Sequence, residues 1–138
     1  MAIRDILLDT NAYAAFKRNA PEAVEIIRHA PLIAINSVVL GELLGGFAVG
    51  SRETLNRQEL KRFLDSGRVK LFPVDDGTAE YYATVYRNLR DKGRPIPTND
   101  MWIAATAFQH GLAVFSYDSH LRYVEGIIVG NLLSDFIF

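Results

Sequence analysis

Short apolar runs alternate with longer amphipathic stretches along almost the whole chain, and this alternation restricts the possible folds more than any other feature of the sequence. The stretches between the apolar runs have the length and spacing of helices. The runs themselves are predicted to be strands, at about 3–8, 32–35, 69–74, 112–115 and 127–129. Strands that alternate with helices form a parallel sheet with both faces covered. The sequence therefore predicts an α/β fold, a three-layer α/β/α sandwich around a mostly parallel five-stranded sheet.

Capping residues, prolines and glycines predict where the helices begin and end. The polar segment 9–11 closes the first strand and suits a helix start, and Asn99 is predicted to cap the helix that ends at His110 and Gly111. The segment 38–49 is mostly apolar and contains three glycines, which predicts a closely packed helix. The remaining helices are expected at about 21–29, 52–65 and 78–91, with a short one after Asp118.

Length and composition are those of an ordinary globular domain. The chain has 138 residues, of which 49% are hydrophobic and 22% charged, so we expect one domain over 1–138. No stretch approaches the roughly 20 apolar residues that span a bilayer, and two charges in the first five residues argue against a signal peptide. The chain has no cysteine, which excludes disulfides and thiolate catalysis. We expect a cytoplasmic protein without a membrane partner.

Four acidic residues are predicted to meet at one edge of the sheet. Asp9 directly follows the first strand, and Asp118 follows the fourth within three residues. Asp100 lies in the first turn of the helix that leads into the fourth strand, and Glu42 lies one turn into the helix after the second. Open parallel sheets bind ligands beyond the carboxyl ends of their strands. These acids are therefore the candidate site.

Each of these acids also has a purely structural explanation. Asp9 and Asp118 could cap helices, and Asp100 could complement a helix dipole. Glu42 is flanked by apolar residues, which predicts a buried carboxylate, and no lysine or arginine lies within one helical turn of it. A buried carboxylate without a partner is costly, so Glu42 is expected to need a metal or a distant cation.

A metal ion would resolve the mutual repulsion of four crowded carboxylates. Ligands that are all oxygen favour hard ions, so we expect Mg²⁺ or Mn²⁺ rather than Zn²⁺. Such ions can activate water for attack on a phosphodiester and stabilise the departing 3′ oxygen. If four acids are assigned to metal, the remaining net charge rises from −1 to +3, which is compatible with an anionic substrate.

Other catalytic motifs are not found in the sequence. It has no phosphate-binding loop, no G-x-S-x-G elbow and no G-x-G-x-x-G fingerprint after the first strand. The residues after Asp9 lack the second aspartate of aspartate-nucleophile phosphatases, and the acid pair and lysine of a receiver domain are also missing. His29, His110 and His120 have no metal-ligand spacing, so we predict no metal role for them.

Four motifs resemble those of PIN-domain ribonucleases, and most closely those of the VapC toxins of bacterial and archaeal toxin–antitoxin pairs. They are Leu7-Leu-Asp-Thr-Asn11, Glu42, Asn99-Asp-Met-Trp-Ile-Ala-Ala105 and Ser116-Tyr-Asp118. The resemblance implies a PIN-like fold and a metal-dependent endoribonuclease that leaves a 5′ phosphate and a 3′ hydroxyl. It also implies a role for each candidate residue: Asp9, Glu42, Asp100 and Asp118 bind the metal and are catalytic, and Thr10, Asn11 and Ser116 orient them or a water.

The same resemblance implies a homodimer and a small VapB-like antitoxin whose carboxyl-terminal segment covers the active groove. The expected docking surface is the helix at 38–49 with its neighbour at 52–65, unless these apolar positions only fill the core. Arg94 is the first candidate for contact with RNA phosphates, ahead of Lys92, Arg57 and Lys61. The alternative function is a catalytically silent PIN-like module that binds RNA or a protein partner.

Overall fold

One sheet of five strands forms the centre of the computed structural model, which describes residues 2–138. Met1, the first residue of the segment that is predicted not to be a signal peptide, lies outside the described residues. The strands are β1 Ile6–Leu8, β2 Ile33–Asn36, β3 Val69–Phe72, β4 Ala113–Phe115 and β5 Val129–Gly130. Their order is β3-β2-β1-β4-β5, and all four pairings between neighbours are parallel. The predicted fold class is confirmed, and the sheet is entirely parallel in these strands.

Helices connect the strands on both sides of the sheet. They are α1 Thr10–Lys17, α2 Pro21–His29, α3 Ser37–Val49, α4 Glu53–Leu64, α5 Asp76–Asp91 and α6 Thr98–His110, and 3₁₀ helices follow at Ser119–Tyr123 and Leu133–Phe136. The connections from β1 to β2 and from β2 to β3 run in one direction across the sheet, and the connection from β3 to β4 runs back in the other. Because crossovers between parallel strands are right-handed, the helices of these two parts cover opposite faces of the sheet. In keeping with this, α1 packs on α2 and α3, while α5 packs on α6. No helix in residues 2–138 is both long and apolar enough to cross a bilayer.

Side-chain caps and glycine conformation explain several of the helix boundaries. The side chain of Asn36 accepts a hydrogen bond from the N–H of Val39 at 2.9 Å and so caps α3. Gly111 ends α6 with a φ of 64°, a conformation that favours glycine. The prediction for the start of α6 is wrong, because the helix begins at Thr98 after Pro97 and Asn99 lies within its first turn. The side chain of Asn99 is thereby free to bond elsewhere.

The core lies on both faces of the central strands. Every residue of β1, β2 and β4 is buried, which explains why these strands appear in the sequence as continuous apolar runs. The carboxyl-terminal segment, for which the sequence analysis made no prediction, adds to this core: Phe136 is fully buried and its ring lies 6.1 Å from that of Phe115. A backbone bridge between Ile3 and Ile137 holds the two chain ends together.

Helix α3 is largely exposed, which corrects the prediction of a closely packed helix. Its buried residues are Val39 and Leu43, whereas Glu42 and all three of its glycines are exposed. A Cβ atom added at any of these glycines would meet nothing within 4 Å. An apolar composition indicates burial only on average, and here one apolar face of the helix packs while the other faces solvent. The prediction that Glu42 is buried was therefore wrong, and its place in the site depends on its contacts.

Candidate metal centre

The candidate site lies where the strand order reverses. From β1 the chain moves outward to β2 and β3 and then returns to β4 on the other side of β1. Asp9 follows β1, and Ser116 and Asp118 follow β4. The carboxyl ends of these adjacent parallel strands place the two loops side by side, at the position where open α/β sheets bind ligands.

Asp9 is held in place by three donors. Ser116 Oγ donates to Asp9 Oδ2 at 2.6 Å, and Asn11 Nδ2 donates to the same oxygen at 3.4 Å. The backbone N–H of Thr10 donates to Oδ1 at 2.8 Å, because Asp9 is also the cap of α1. The aspartate is 5% exposed, so its carboxylate is fixed before any ligand arrives. Asp9 is therefore both the cap of α1 and a residue of the candidate site.

Ser116 and Asn11 also join the loop after β1 to the loop after β4. Ser116 Oγ accepts the N–H of Asp118 at 3.0 Å, and Asn11 Oδ1 accepts the N–H of Tyr117 at 3.1 Å. The two residues predicted to orient the acids therefore set the path of the backbone that carries Asp118.

Glu42 is connected to the rest of the site through α1 and α6. Thr10 Oγ1 donates to Glu42 Oε1 at 2.7 Å, and Asn99 Nδ2 donates to Oε2 at 3.3 Å. These two bonds bring the exposed glutamate of α3 to the same edge as Asp9 and Asp100. Asn99 was missed as a site residue, because its position next to Asp100 in the sequence matched a helix cap equally well.

Asp100 is buried and has few partners. It is 8% exposed, and its Oδ2 lies 3.6 Å from Nδ1 of His120. The same Nδ1 lies 3.0 Å from Oδ1 of Asp118. One ligand atom from each of these three residues lies within 4.8 Å of the others, a spacing that suits a shared metal ion. His120 was dismissed in the sequence analysis, because the short spacing from Asp118 matches no helical metal motif and Asp100 is distant in the chain.

The pKa values show that the acids act on one another. Burial, which has the largest effect, and the charges of Asp118, Asp9 and Glu42 together raise the pKa of Asp100 to about 6, while the charge of His120 acts to lower it. Burial also raises the pKa of Asp9, against the hydrogen bonds from Ser116 and Thr10, and the charges of Glu42 and Asp118 add to the increase. The four predicted acids therefore form one electrostatic cluster.

The donor set of this cluster fits a hard divalent cation. Four carboxylates converge, and within residues 2–138 no lysine or arginine forms an ion pair with any of them. Carboxylates that are crowded, partly buried and without a lysine or arginine partner are stabilised when a cation binds.

Within residues 2–138, none of the four basic residues predicted to contact substrate, Arg94, Lys92, Arg57 and Lys61, forms an ion pair with the acids of this cluster. The guanidinium of Arg94 lies 5.0 Å from the ring centre of Tyr123. Lys92 pairs with Glu125 at 2.7 Å, and Arg57 pairs with Glu53 at 3.3 Å. Two of these side chains are thus engaged elsewhere, whereas Arg94 is exposed beside the start of α6.

Comparison with known proteins gives consistent matches along the chain. The family model of the PIN domain matches residues 6–127. Ribonuclease VapC5 of Mycobacterium tuberculosis is 30% identical over 122 residues, which cover 87% of each chain.

Two solved structures have the same fold. A chain of the VapBC2 structure from Rickettsia felis, bound to a DNA fragment from its promoter, has a TM-score of 0.81 at 24% identity and covers 92% of this chain and 98% of its own. A chain of FitAcB from Neisseria gonorrhoeae has a TM-score of 0.74 at 28% identity, with coverage of 91% and 96%. The residues matched by the PIN-domain family model include all four acids.

Proposed function

Since this chain belongs to the PIN-domain family, we propose that it is an endoribonuclease toxin of a toxin–antitoxin pair and hydrolyses RNA phosphodiesters with the help of bound metal ions. The observation that carries the proposal is the convergence of four carboxylates without a lysine or arginine partner at the switch point of the sheet. The relative named ribonuclease VapC5 supports RNA as the substrate. The compartment we propose is the cytoplasm, because cellular RNA is found there.

In this proposal Asp9, Glu42, Asp100 and Asp118 would hold Mg²⁺ or Mn²⁺. Such an ion, when bound, lowers the pKa of a water for attack on phosphorus and stabilises the charge on the departing 3′ oxygen. The products would be a 5′ phosphate and a 3′ hydroxyl.

The neighbouring polar residues fix the carboxylates in advance. Ser116 and Asn11 orient Asp9, and Thr10 orients Glu42, each through a hydrogen bond already formed in the folded chain. Groups fixed before the reaction need no reorganisation as charge develops. Arg94 remains our candidate for contact with RNA phosphates, since it is exposed and forms no ion pair among the described residues.

RNA cleavage is expected to depend on both metal and pH. A chelator should abolish cleavage, and added Mn²⁺ or Mg²⁺ should restore it. Because Asp100 has a pKa of about 6, it becomes protonated as the pH falls below that value and then binds a cation less well. The Mn²⁺ concentration that gives half-maximal activity should therefore rise as the pH is lowered from 7.5 to 5.5. Initial rates on a labelled RNA, measured across a metal titration at each pH, check this.

The same experiment distinguishes the proposed endoribonuclease from the alternative function, a catalytically silent binding module. Cleavage that survives the chelator would overturn the proposed metal centre. If RNA binds but remains intact at every metal concentration, the binding module is the correct function.

We also propose that the protein forms a homodimer and binds a small antitoxin on the exposed face of α3. The VapBC2 and FitAcB structures support an antitoxin partner. The three exposed glycines of α3, Val49 with 89% of its surface exposed and Leu55 of α4 with 42% provide an open apolar surface for a partner's side chains. The alternative that these positions only fill the core does not agree with their exposure.

The substitution Gly45→Glu is expected to weaken antitoxin binding at least tenfold, because it places a charge in the centre of this apolar face. The glutamate has space at Gly45, so the fold should tolerate it. The control is Gly67→Glu, which has equal space and lies outside α3 and α4. Co-purification with co-expressed antitoxin measures binding, and equal retention of antitoxin by both variants would contradict the proposed surface.

Light scattering on the purified chain should give twice the mass of one chain, whereas the mass of a single chain would contradict the dimer.

A further inference from the structure

His120 lies in contact with two of the four acids although it is not an acid itself. Its Nδ1 is 3.0 Å from Oδ1 of Asp118 and 3.6 Å from Oδ2 of Asp100, and its side chain is 47% exposed. A single ion could therefore accept one ligand atom from each of these residues, which all lie within 4.8 Å of one another.

The backbone holds this ring over the carboxylates. Asp118 is the cap of the 3₁₀ helix Ser119–Tyr123, and its Oδ1 accepts the N–H of His120 at 2.9 Å. Asp118 is itself tied to Ser116, whose Oγ accepts its N–H at 3.0 Å. The imidazole is thus placed by the turn that positions the fourth acid. An exposed histidine without this local structure could move freely away from the site.

The nature of the donor decides which ions such a site prefers. Carboxylate oxygens suit Mg²⁺, Ca²⁺ and Mn²⁺ alike. Imidazole nitrogen binds the first-row transition ions, Mn²⁺ most weakly among them, and is a poorer ligand still for Mg²⁺, which prefers oxygen and dehydrates reluctantly. An imidazole added to a carboxylate set therefore increases the affinity for Mn²⁺ more than the affinity for Mg²⁺.

We propose that His120 is a nitrogen ligand that makes this site selective for Mn²⁺ over Mg²⁺. The inference rests on the proposed function, because it takes the four acids as the metal centre of the nuclease. The neutral imidazole contributes through Nδ1, and Asp100 and Asp118 provide the oxygen ligands beside it.

The test compares metal binding by the wild-type chain and by His120→Gln. Glutamine keeps an amide N–H that can donate to Asp118, but its amide nitrogen does not bind metal. Calorimetric titration with Mn²⁺ and with Mg²⁺ gives the ratio of the two dissociation constants. We expect selectivity for Mn²⁺ to fall about tenfold in the variant, mainly through weaker Mn²⁺ binding.

Electron spin echo spectroscopy of bound Mn²⁺ gives a second reading that does not depend on activity. A coordinated imidazole produces ¹⁴N modulation, which should be present in the wild-type chain and lost in His120→Gln. The other two histidines serve as matched controls, since His110 is stacked on Phe72 and Nδ1 of His29 lies 2.8 Å from the carbonyl oxygen of Glu25. The modulation should remain in His110→Gln and in His29→Gln.

Two outcomes would overturn the inference, and they differ in what they imply for the nuclease. If the wild-type chain and His120→Gln have the same selectivity and neither shows ¹⁴N modulation, while Asp100→Asn loses Mn²⁺, the role of His120 is wrong and the acid site stands. If the wild-type chain binds no Mn²⁺, both the inference and the proposed metal centre are wrong.

Discussion

Replacing Asp9 by asparagine is expected to slow RNA cleavage about a thousandfold, equivalent to roughly 4 kcal/mol of transition-state stabilisation. Asparagine has nearly the same shape and can still accept the N–H of Thr10, so the cap of α1 is kept. The negative charge of the best-fixed ligand is lost, and so is the acceptor oxygen that faces the donors of Ser116 and Asn11. Initial rates on a labelled RNA at saturating Mn²⁺ measure the change.

The matched control is Asp76→Asn, which removes the same charge from an exposed position in the first turn of α5. This control should cleave RNA at the wild-type rate. Asp9→Asn should melt close to the temperature of the wild-type chain without metal, because relief of the repulsion among the acids offsets the hydrogen bonds that it loses with Ser116 and Asn11. Equal cleavage by Asp9→Asn and the wild-type chain would show that the activity resides elsewhere.

Replacing Phe136 by alanine is expected to lower the free energy of unfolding by about 3–5 kcal/mol. The side chain is fully buried, and its ring packs on Phe115 at the end of β4. Its removal leaves a cavity beneath the strand that leads to Ser116 and Asp118. Urea denaturation followed by circular dichroism measures the change.

Phe138→Ala is the corresponding control at the same end of the chain. Phe138 is 69% exposed, and its ring contacts the guanidinium of Arg4 at 4.8 Å. Its replacement should cost no more than about 1 kcal/mol. Similar losses in both variants would mean that the carboxyl-terminal segment does not depend on the burial of Phe136.

The sequence was sufficient to predict the fold because each strand is short, apolar and separated from the next by a helix. Small errors occurred at the ends: the first strand begins at Ile6 rather than at residue 3, and the last is Val129–Gly130 rather than 127–129. Hydrogen bonds between strands decide such limits, and the sequence of one strand alone does not contain them. The role of Phe136 was not predicted, because a single aromatic residue near the chain end has no periodic pattern.

Three of the four acids could be located from the fold because the carboxyl ends of parallel strands and the start of α6 meet at one edge. Glu42 also lies at this edge, but the reason given for it in the sequence analysis was wrong: Glu42 is exposed, and its hydrogen bonds with Thr10 and Asn99, not burial, connect it to the other acids. Asn99 and His120 could not be found in this way. The contacts of Asn99 with Glu42 and of His120 with Asp100 join residues far apart in the chain, and only the folded backbone brings them together.

The hydrogen bond from Ser116 to Asp9 spans 107 residues of sequence, and this separation has a consequence during synthesis of the protein. A ribosome makes the chain from its amino end, so Asp9 emerges long before the residues that fix it and complete the cluster. Phe136, which packs beneath β4, is added later still. The nascent chain therefore has no assembled metal centre until β4, Ser116 and Asp118 have left the ribosome. During this time Asp9 lacks the donor that fixes its carboxylate.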